Sequence, residues 1–179
     1  MNYAGVIYAD FANGPGIRTS LFVSGCNTHC LGCFNQEQQD FCYGKPYTFD
    51  ATDKIVSNVA KSWCAGLSIL GGDAMWQNDD DIAILVDLCQ KVHELDKTVW
   101  LWTGFTWQEL MDSKKVSRLY FLCNCDIVVD GPYKQLLKDP KLLWRGSANQ
   151  RIIDVNKSLN EDKIVLWKEQ PNETVRKIL

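Results

Sequence analysis

Cys26, Cys30 and Cys33 stand at C-x3-C-x2-C spacing, and no fourth cysteine follows at ligand spacing. A cubane iron–sulfur cluster has four irons that each take one thiolate, so a loop offering three leaves one iron free to bind a substrate. An open iron points to catalysis rather than electron storage. The competing readings are a zinc or structural site and a disulfide. Zinc modules usually close a tetrahedron with two C-x2-C pairs, or with a cysteine pair and a histidine pair. Here His29 lies inside the triplet, and the other histidine, His93, is far along the chain. Gly25 and Gly32 let the backbone fold tightly and turn amides toward bridging sulfides.

The rest of the chain must hold that loop. With 179 residues, 46% of them hydrophobic, it has enough for one sizeable core and too little for two, so residues 1–179 read as a single domain. The loop occupies 26–33, and a tail from about residue 156 is left unplaced. A net charge of −3 offers no basic surface for nucleic acid. No apolar run reaches the roughly 18 residues that span a bilayer, and the opening MNYAGVIYAD lacks a signal peptide's regions. A cytoplasmic protein is expected, with no nucleic-acid or membrane partner. Thiols stay reduced there, so eight cysteines imply metal ligation plus ordinary buried thiols.

Tyr3 to Tyr8 reads as an edge strand, Asn13-Gly14-Pro15-Gly16 as a turn, and Ser20 to Gly25 as a buried strand running into the first cysteine. Helical spacing predicts helices over about Asp50–Trp63, Asp79–Leu95 and Trp107–Ser117. Between them, Gly66–Leu70, Thr98–Trp102 and Asp126–Val129 read as strands, each stopping at a turn. Arg151–Val155 and Ile164–Trp167 are candidates for a closing strand or hairpin. Alternating strands and helices imply parallel pairing with right-handed crossovers. A closed eightfold barrel needs about 250 residues, so the expectation is α/β, a partial, open TIM-like barrel of five or six mostly parallel strands. The cysteine loop, Gly71-Gly72-Asp73, Thr103-Gly104 and Asp130-Gly131 then lie beyond the carboxyl ends of strands, where parallel sheets build sites.

Other residues have simpler readings. Cys64 and Cys125 precede strands, at the end opposite the loop, and Cys89 sits on an apolar helical stripe. Cys42, nine residues after Cys33, stays open as a fourth ligand. Asp79-Asp80-Asp81 suit the positive end of a helix dipole, and His93 suits a helix end. Trp100 and Trp102 share one strand face as core. The Asn13–Gly16 turn lacks a P-loop's Lys-Ser/Thr. Arg18 and Arg145 fit either a partner's carboxylates or surface pairs.

The triplet followed by Phe34, with a later strand ending in Gly71-Gly72-Asp73, resembles the radical S-adenosylmethionine enzymes. The segments Asn13–Arg18, Trp100–Gly104, Val129–Gly131 and Leu143–Arg151 look like those of the activating enzymes of anaerobic ribonucleotide reductases, a likeness reaching to about Asp154. The resemblance implies one [4Fe-4S] cluster per chain on Cys26, Cys30 and Cys33, with S-adenosyl-L-methionine chelating the fourth iron. Reductive cleavage would yield a 5′-deoxyadenosyl radical that takes hydrogen from a glycine of the large subunit of a class III reductase. An external one-electron donor such as a flavodoxin is implied. Gly32, Cys33 and Phe34 would meet the adenine, Gly71, Gly72 and Asp73 the cationic amino group, and Thr103 and Asp130 the ribose or methionyl part. No catalytic residue is expected beyond these ligands. Three positions depart from the family pattern. Ala74 stands for a proline, Phe105 for a tyrosine, and Pro132 for a basic residue whose charge near the methionine carboxylate must come from elsewhere. The alternatives are a small electron carrier with a saturated cluster and a radical enzyme acting on a small molecule.

Overall fold

The computed structural model describes residues 1–168, so the end of the unplaced tail, 169–179, lies outside the described residues. Seven strands form one open sheet: β1 Asn2–Asp10, β2 Ile17–Val23, β3 Lys45–Pro46, β4 Cys64–Gly71, β5 Thr98–Trp102, β6 Ile127–Asp130 and β7 Arg151–Asp154, in spatial order β3-β1-β2-β4-β5-β6-β7. The pairings β2–β4, β4–β5 and β5–β6 are parallel, while both flanks of the sheet pair antiparallel. Crossovers through α1 Phe49–Val59, α2 Asp79–His93 and the pair α3 Trp107–Met111 and α4 Val116–Cys123 force the parallel arrangement, and α5 Val155–Asn160 follows β7. The mixed α/β class holds, and the sheet does not close. No helix among the described residues is long and apolar enough to cross a membrane.

Period-two alternation gives the sheet two different faces. Leu21, Val23, Leu67, Ile69, Val99, Leu101 and Val128 pack against Ile55 and Val59 of α1, Leu85, Leu88 and Val92 of α2, and Phe121 and Leu122 of α4. The opposite face carries Trp100, Ile127 and Val129, covered by Trp102, Trp144, Ile152 and Trp167. Trp100 meets Trp144 and Trp167 edge to face at centroid distances of 5.5 and 5.0 Å, a geometry that suits the aromatic quadrupole.

Several elements depart from expectation. The sheet has seven strands rather than five or six, because the two-residue β3 has too little pattern to detect, while the candidate closing strand Arg151–Val155 forms β7 at the far edge. As a result β1 is not the outermost strand, although β3 covers only Asn2 and Tyr3. The expected helix over Trp107–Ser117 ends at Met111, after a Thr106–Glu109 capping box has started it, and a separate helix runs from Val116 to Cys123. Ile164–Trp167 makes a single bridge, Ile153–Leu166, rather than a strand.

Arg18 is neither on the surface nor available to a partner. It is 1% exposed, and its guanidinium donates to Ser68 Oγ at 2.8 Å, Thr98 Oγ1 at 3.0 Å, and the carbonyls of Leu67 and Thr98 at 2.7 and 2.8 Å. Burial brings its pKa down to about 10, so it stays charged and clamps the starts of β2, β4 and β5. The Asn13–Gly16 turn seals this end of the sheet, with the Asn13 carbonyl accepting from Ser68 Oγ at 2.6 Å. Arg18→Ala leaves these acceptors buried and unpaired and is expected to cost about 3–5 kcal/mol in urea unfolding. A loss below about 1 kcal/mol would show that the clamp is dispensable.

Candidate functional site

At the opposite end of the sheet the carboxyl ends of the parallel strands meet. The chain leaves β2 through Ser24 and Gly25 into the cysteine loop, and that loop is stitched to the end of β4. Gly72 N–H donates to the Val23 carbonyl at 2.8 Å, and Asp73 N–H donates to the Gly25 carbonyl at 2.9 Å. A short 3-10 turn, Gln36–Gln39, closes the other side, where Gly25 and Cys26 N–H donate to the carbonyls of Gln38 and Gln39 at 2.8 and 3.0 Å. Asn35 Nδ2 donates to the Gly71 carbonyl at 3.1 Å. The backbones are so close that a Cβ on Gly72 would lie 2.7 Å from the Gln38 carbonyl oxygen and 2.8 Å from that of Gly25. Gly71 has φ +105°, and a Cβ there would meet the Val23 carbonyl oxygen at 2.7 Å.

Asp73 joins this stitch to β5. Its carboxylate is 1% exposed and accepts from Met75 N–H at 3.0 Å, Thr103 Oγ1 at 2.9 Å and Gly104 N–H at 2.8 Å. Burial outweighs these donors and pushes its pKa up to about 6. Thr103 Oγ1 also accepts from Phe105 N–H at 3.1 Å. Asp130 does the same for β6: it accepts from Trp107 N–H at 2.7 Å and takes both Nε and Nη2 of Arg151 in a bidentate pair. The three polar side chains expected to face a ligand, Asp73, Thr103 and Asp130, are therefore buried and hydrogen-bonded to their neighbours in this structure.

Cys26, Cys30 and Cys33 are half-buried free thiols on one loop. Cys26 Sγ accepts from Thr28 N–H at 3.4 Å, and Cys33 N–H donates to the Cys30 carbonyl at 3.1 Å. Left-handed φ values at Gly25, His29 and Gly32 turn the chain around the thiols. Burial raises the thiol pKa of Cys26, with the Asp73 charge adding to it, and burial also raises that of Cys30. Metal loading must therefore expel protons. Among the described residues no three Cys, His, Asp or Glu side chains converge on a single ion. A cubane asks instead for one thiolate per iron, and three thiols around one glycine-turned loop fit that demand.

The remaining cysteines fall into place. Cys64, Cys89 and Cys125 are buried in the helix-side core, Cys123 is exposed at the end of α4, and Cys42 is exposed beside Phe41, whose ring covers Gly25. Phe34 is fully exposed. Asp79 to Asp81 form the first turn of α2, which Asn78 caps, and Asp81 pairs with the chain's amino group. His93 meets Asp126 at 3.0 Å near the end of α2.

A cavity of about 510 Å³ opens beside the loop, within the ~300–1,000 Å³ range of small-ligand sites. Thr28, Trp76, Gly104, Asp130, Lys134 and Arg151 lie on its wall. Thr28 belongs to the cysteine loop and accepts from Trp76 Nε1 at 3.2 Å, so cavity and loop are contiguous. Arg118 backs this wall, its guanidinium 4.5 Å from the Phe105 ring centroid and its Nε donating to the Met75 carbonyl at 2.7 Å. Sequence reasoning did not identify Thr28, Trp76, Lys134 or Arg151 as site residues. Lys134 and Arg151 carried a usable signal, since both stand just past or opposite the end of β6, where Pro132 had left a cation missing.

Residues 12–153 match the family model described as a 4Fe-4S single cluster domain, which defines the class of this fold and site. The chain is 42% identical over 156 residues to the anaerobic ribonucleoside-triphosphate reductase-activating protein of Vibrio cholerae, covering 85% of this chain and 97% of that one. The proteins of the same name from Enterobacteria phage T4 and Escherichia coli K12 are 37% and 38% identical, covering 85% and 84% of this chain and 93% and 96% of theirs. The chain belongs to the family of anaerobic ribonucleoside-triphosphate reductase-activating proteins.

Asp73 yields a pH prediction. Its folded pKa of about 6 stands above the ordinary 3.8, so the folded state binds this proton more tightly than the unfolded chain. The stability it contributes is fully present below about pH 4 and falls, by on the order of 3 kcal/mol, as pH rises to about 6. Urea unfolding of the metal-free chain at stepped pH should show that slope, and Asp73→Asn should flatten it. An identical slope in both proteins would contradict the latch.

Proposed function

We propose that this chain activates an anaerobic, class III ribonucleoside-triphosphate reductase, using one [4Fe-4S] cluster on Cys26, Cys30 and Cys33 and S-adenosyl-L-methionine in the adjoining cavity. The reading is carried by one observation: a loop with three thiols and no fourth cysteine at ligand spacing is bonded onto the Gly71-Gly72-Asp73 turn and opens on a cofactor-sized cavity. When bound, the cluster supplies one electron for reductive cleavage of S-adenosyl-L-methionine, and the resulting 5′-deoxyadenosyl radical takes a hydrogen atom from a glycine of the reductase. An external one-electron donor such as a flavodoxin provides the electron.

The protein's part is to bind and orient. Gly71 and Gly72 let the cysteine loop lie on the end of β4, where any side chain would collide with Gln38, Val23 or Gly25, and main-chain groups of the glycine-turned stretch from Gly32 to Phe34 meet the cofactor. Asp73 and Thr103 are positioning residues: their mutual bond holds the ends of β4 and β5 at a fixed separation. Asp130 holds Arg151 on the cavity wall in an ion pair, and Lys134 supplies the cation for the methionyl carboxylate that Pro132 cannot. The open sheet is the partial barrel of the radical S-adenosylmethionine type.

Cys26→Ala should abolish 5′-deoxyadenosine formation by the anaerobically reconstituted protein, while Cys89→Ala, in the helix-side core, should leave it largely intact. The companion assay adds the reductase and reads the glycyl radical by electron paramagnetic resonance. Equal loss in the two variants, or 5′-deoxyadenosine without any glycyl radical, contradicts the proposal.

A further inference from the structure

The loop between β6 and β7 forms one wall of the cavity and also turns a distinct surface outward. From Pro132 to Arg151 it carries five cations, Lys134, Lys138, Lys141, Arg145 and Arg151, against one acid, Asp139, in a chain whose net charge is −3. Arg151 is taken by Asp130, and Arg145 donates to the Gln150 carbonyl. Lys134, Lys138 and Lys141 are exposed, and among the described residues none has a carboxylate partner within 4 Å.

Exposed apolar side chains accompany these charges. Leu136 is 100% exposed and Leu143 63%. The loop also touches the cysteine loop, since a Cβ on Gly32 would lie 2.8 Å from Gln135 Oε1. Gln135 thus brings this loop against the cysteine loop, on which Leu31 and Phe34 are 80% and 100% exposed. Large exposed apolar groups such as these gain free energy when a partner covers them.

The loop is a fixed platform rather than a loose strand. Lys134 N–H donates to Ser147 Oγ at 3.1 Å, Ala148 N–H to the Leu137 carbonyl at 2.8 Å, and Gln150 ties back to Gly131 and Gly146. Trp144 anchors it from beneath against Trp100. A surface held in this way binds with less ordering cost than a mobile one.

We propose that Leu31, Phe34 and Leu136, together with Lys138 and Lys141, form the docking rim for an acidic, apolar-bearing segment of the reductase subunit. The inference rests on the activating reading, because a glycine can be delivered to this cavity only by a protein segment that crosses its rim. The chemistry of the rim defines the segment: carboxylates for the unpaired lysines and apolar side chains for the leucines and Phe34.

The test uses full-length protein and the intact reductase subunit. Lys138→Glu combined with Lys141→Glu should weaken reductase binding and raise the KM for the reductase roughly tenfold, with most of the effect lost at high salt. Leu136→Ser should weaken binding by a similar factor at any salt concentration, and Lys138→Arg should retain it. Reductase-independent 5′-deoxyadenosine formation should stay at the wild-type level in all of these. Unchanged binding and KM overturn the rim, as does a change confined to self-association of this chain. Should wild-type protein make no glycyl radical, the activating reading fails, and the binding isotherms of metal-free protein still decide the rim.

Discussion

The backbone of the cysteine loop lies directly on the end of β4, a contact that exists only because Gly71 and Gly72 carry no side chain. Two backbone hydrogen bonds, from Gly72 to Val23 and from Asp73 to Gly25, make the loop an extension of the parallel β2–β4 pairing. Asp73 carries the linkage across to Thr103 and Gly104, and backbone bonds between Thr103 and Val129 and between Gly131 and Phe105 carry it on to β6. Four strand ends are thereby coupled, and the thiols are presented from a framework rather than from a free loop. A buried carboxylate is costly, and in this position it is satisfied by three donors that only this arrangement brings together.

The two sheet faces divide the remaining tasks. One buries aliphatic stripes under α1, α2 and α4, supplying the apolar burial that dominates stability. The other carries a tryptophan cluster whose cover, Trp144, belongs to the same loop that walls the cavity and bears the exposed lysines. Packing on that face thus reaches the mouth of the site through a single segment. Arg18 performs the matching task at the far end, holding the strand starts with four hydrogen bonds, none of them to a carboxylate.

Elements with strong periodicity were legible in the sequence. Thr98–Trp102 and α2 were readable because alternation and a capped, amphipathic pattern agree with the tertiary outcome. The convergence of the strand-end turns followed from parallel topology alone. What escaped has physical reasons. A two-residue β3 has no period, and apolar spacing alone does not mark the break between Met111 and Val116. Arg18 looked like a surface charge because nothing in its neighbours announces that Ser68 and Thr98 will surround it. Asp73, Thr103 and Asp130 were located correctly at the rim, but spacing cannot say whether a strand-end polar group faces a ligand or its neighbour. In this structure all three bond to their neighbours, and Asp130 lies on the cavity wall with Thr28, Trp76, Lys134 and Arg151.

The proposed function depends on a cubane that would receive three thiolates from one loop and keep a corner for an exchangeable ligand. Electron paramagnetic resonance of the anaerobically reconstituted, reduced protein addresses this most directly. Addition of S-adenosyl-L-methionine should change the cluster's g-values, because the ligand's amino and carboxylate groups enter the coordination sphere of the open iron. A spectrum that stays the same at saturating S-adenosyl-L-methionine would mean a fully ligated cluster, and the account would be wrong.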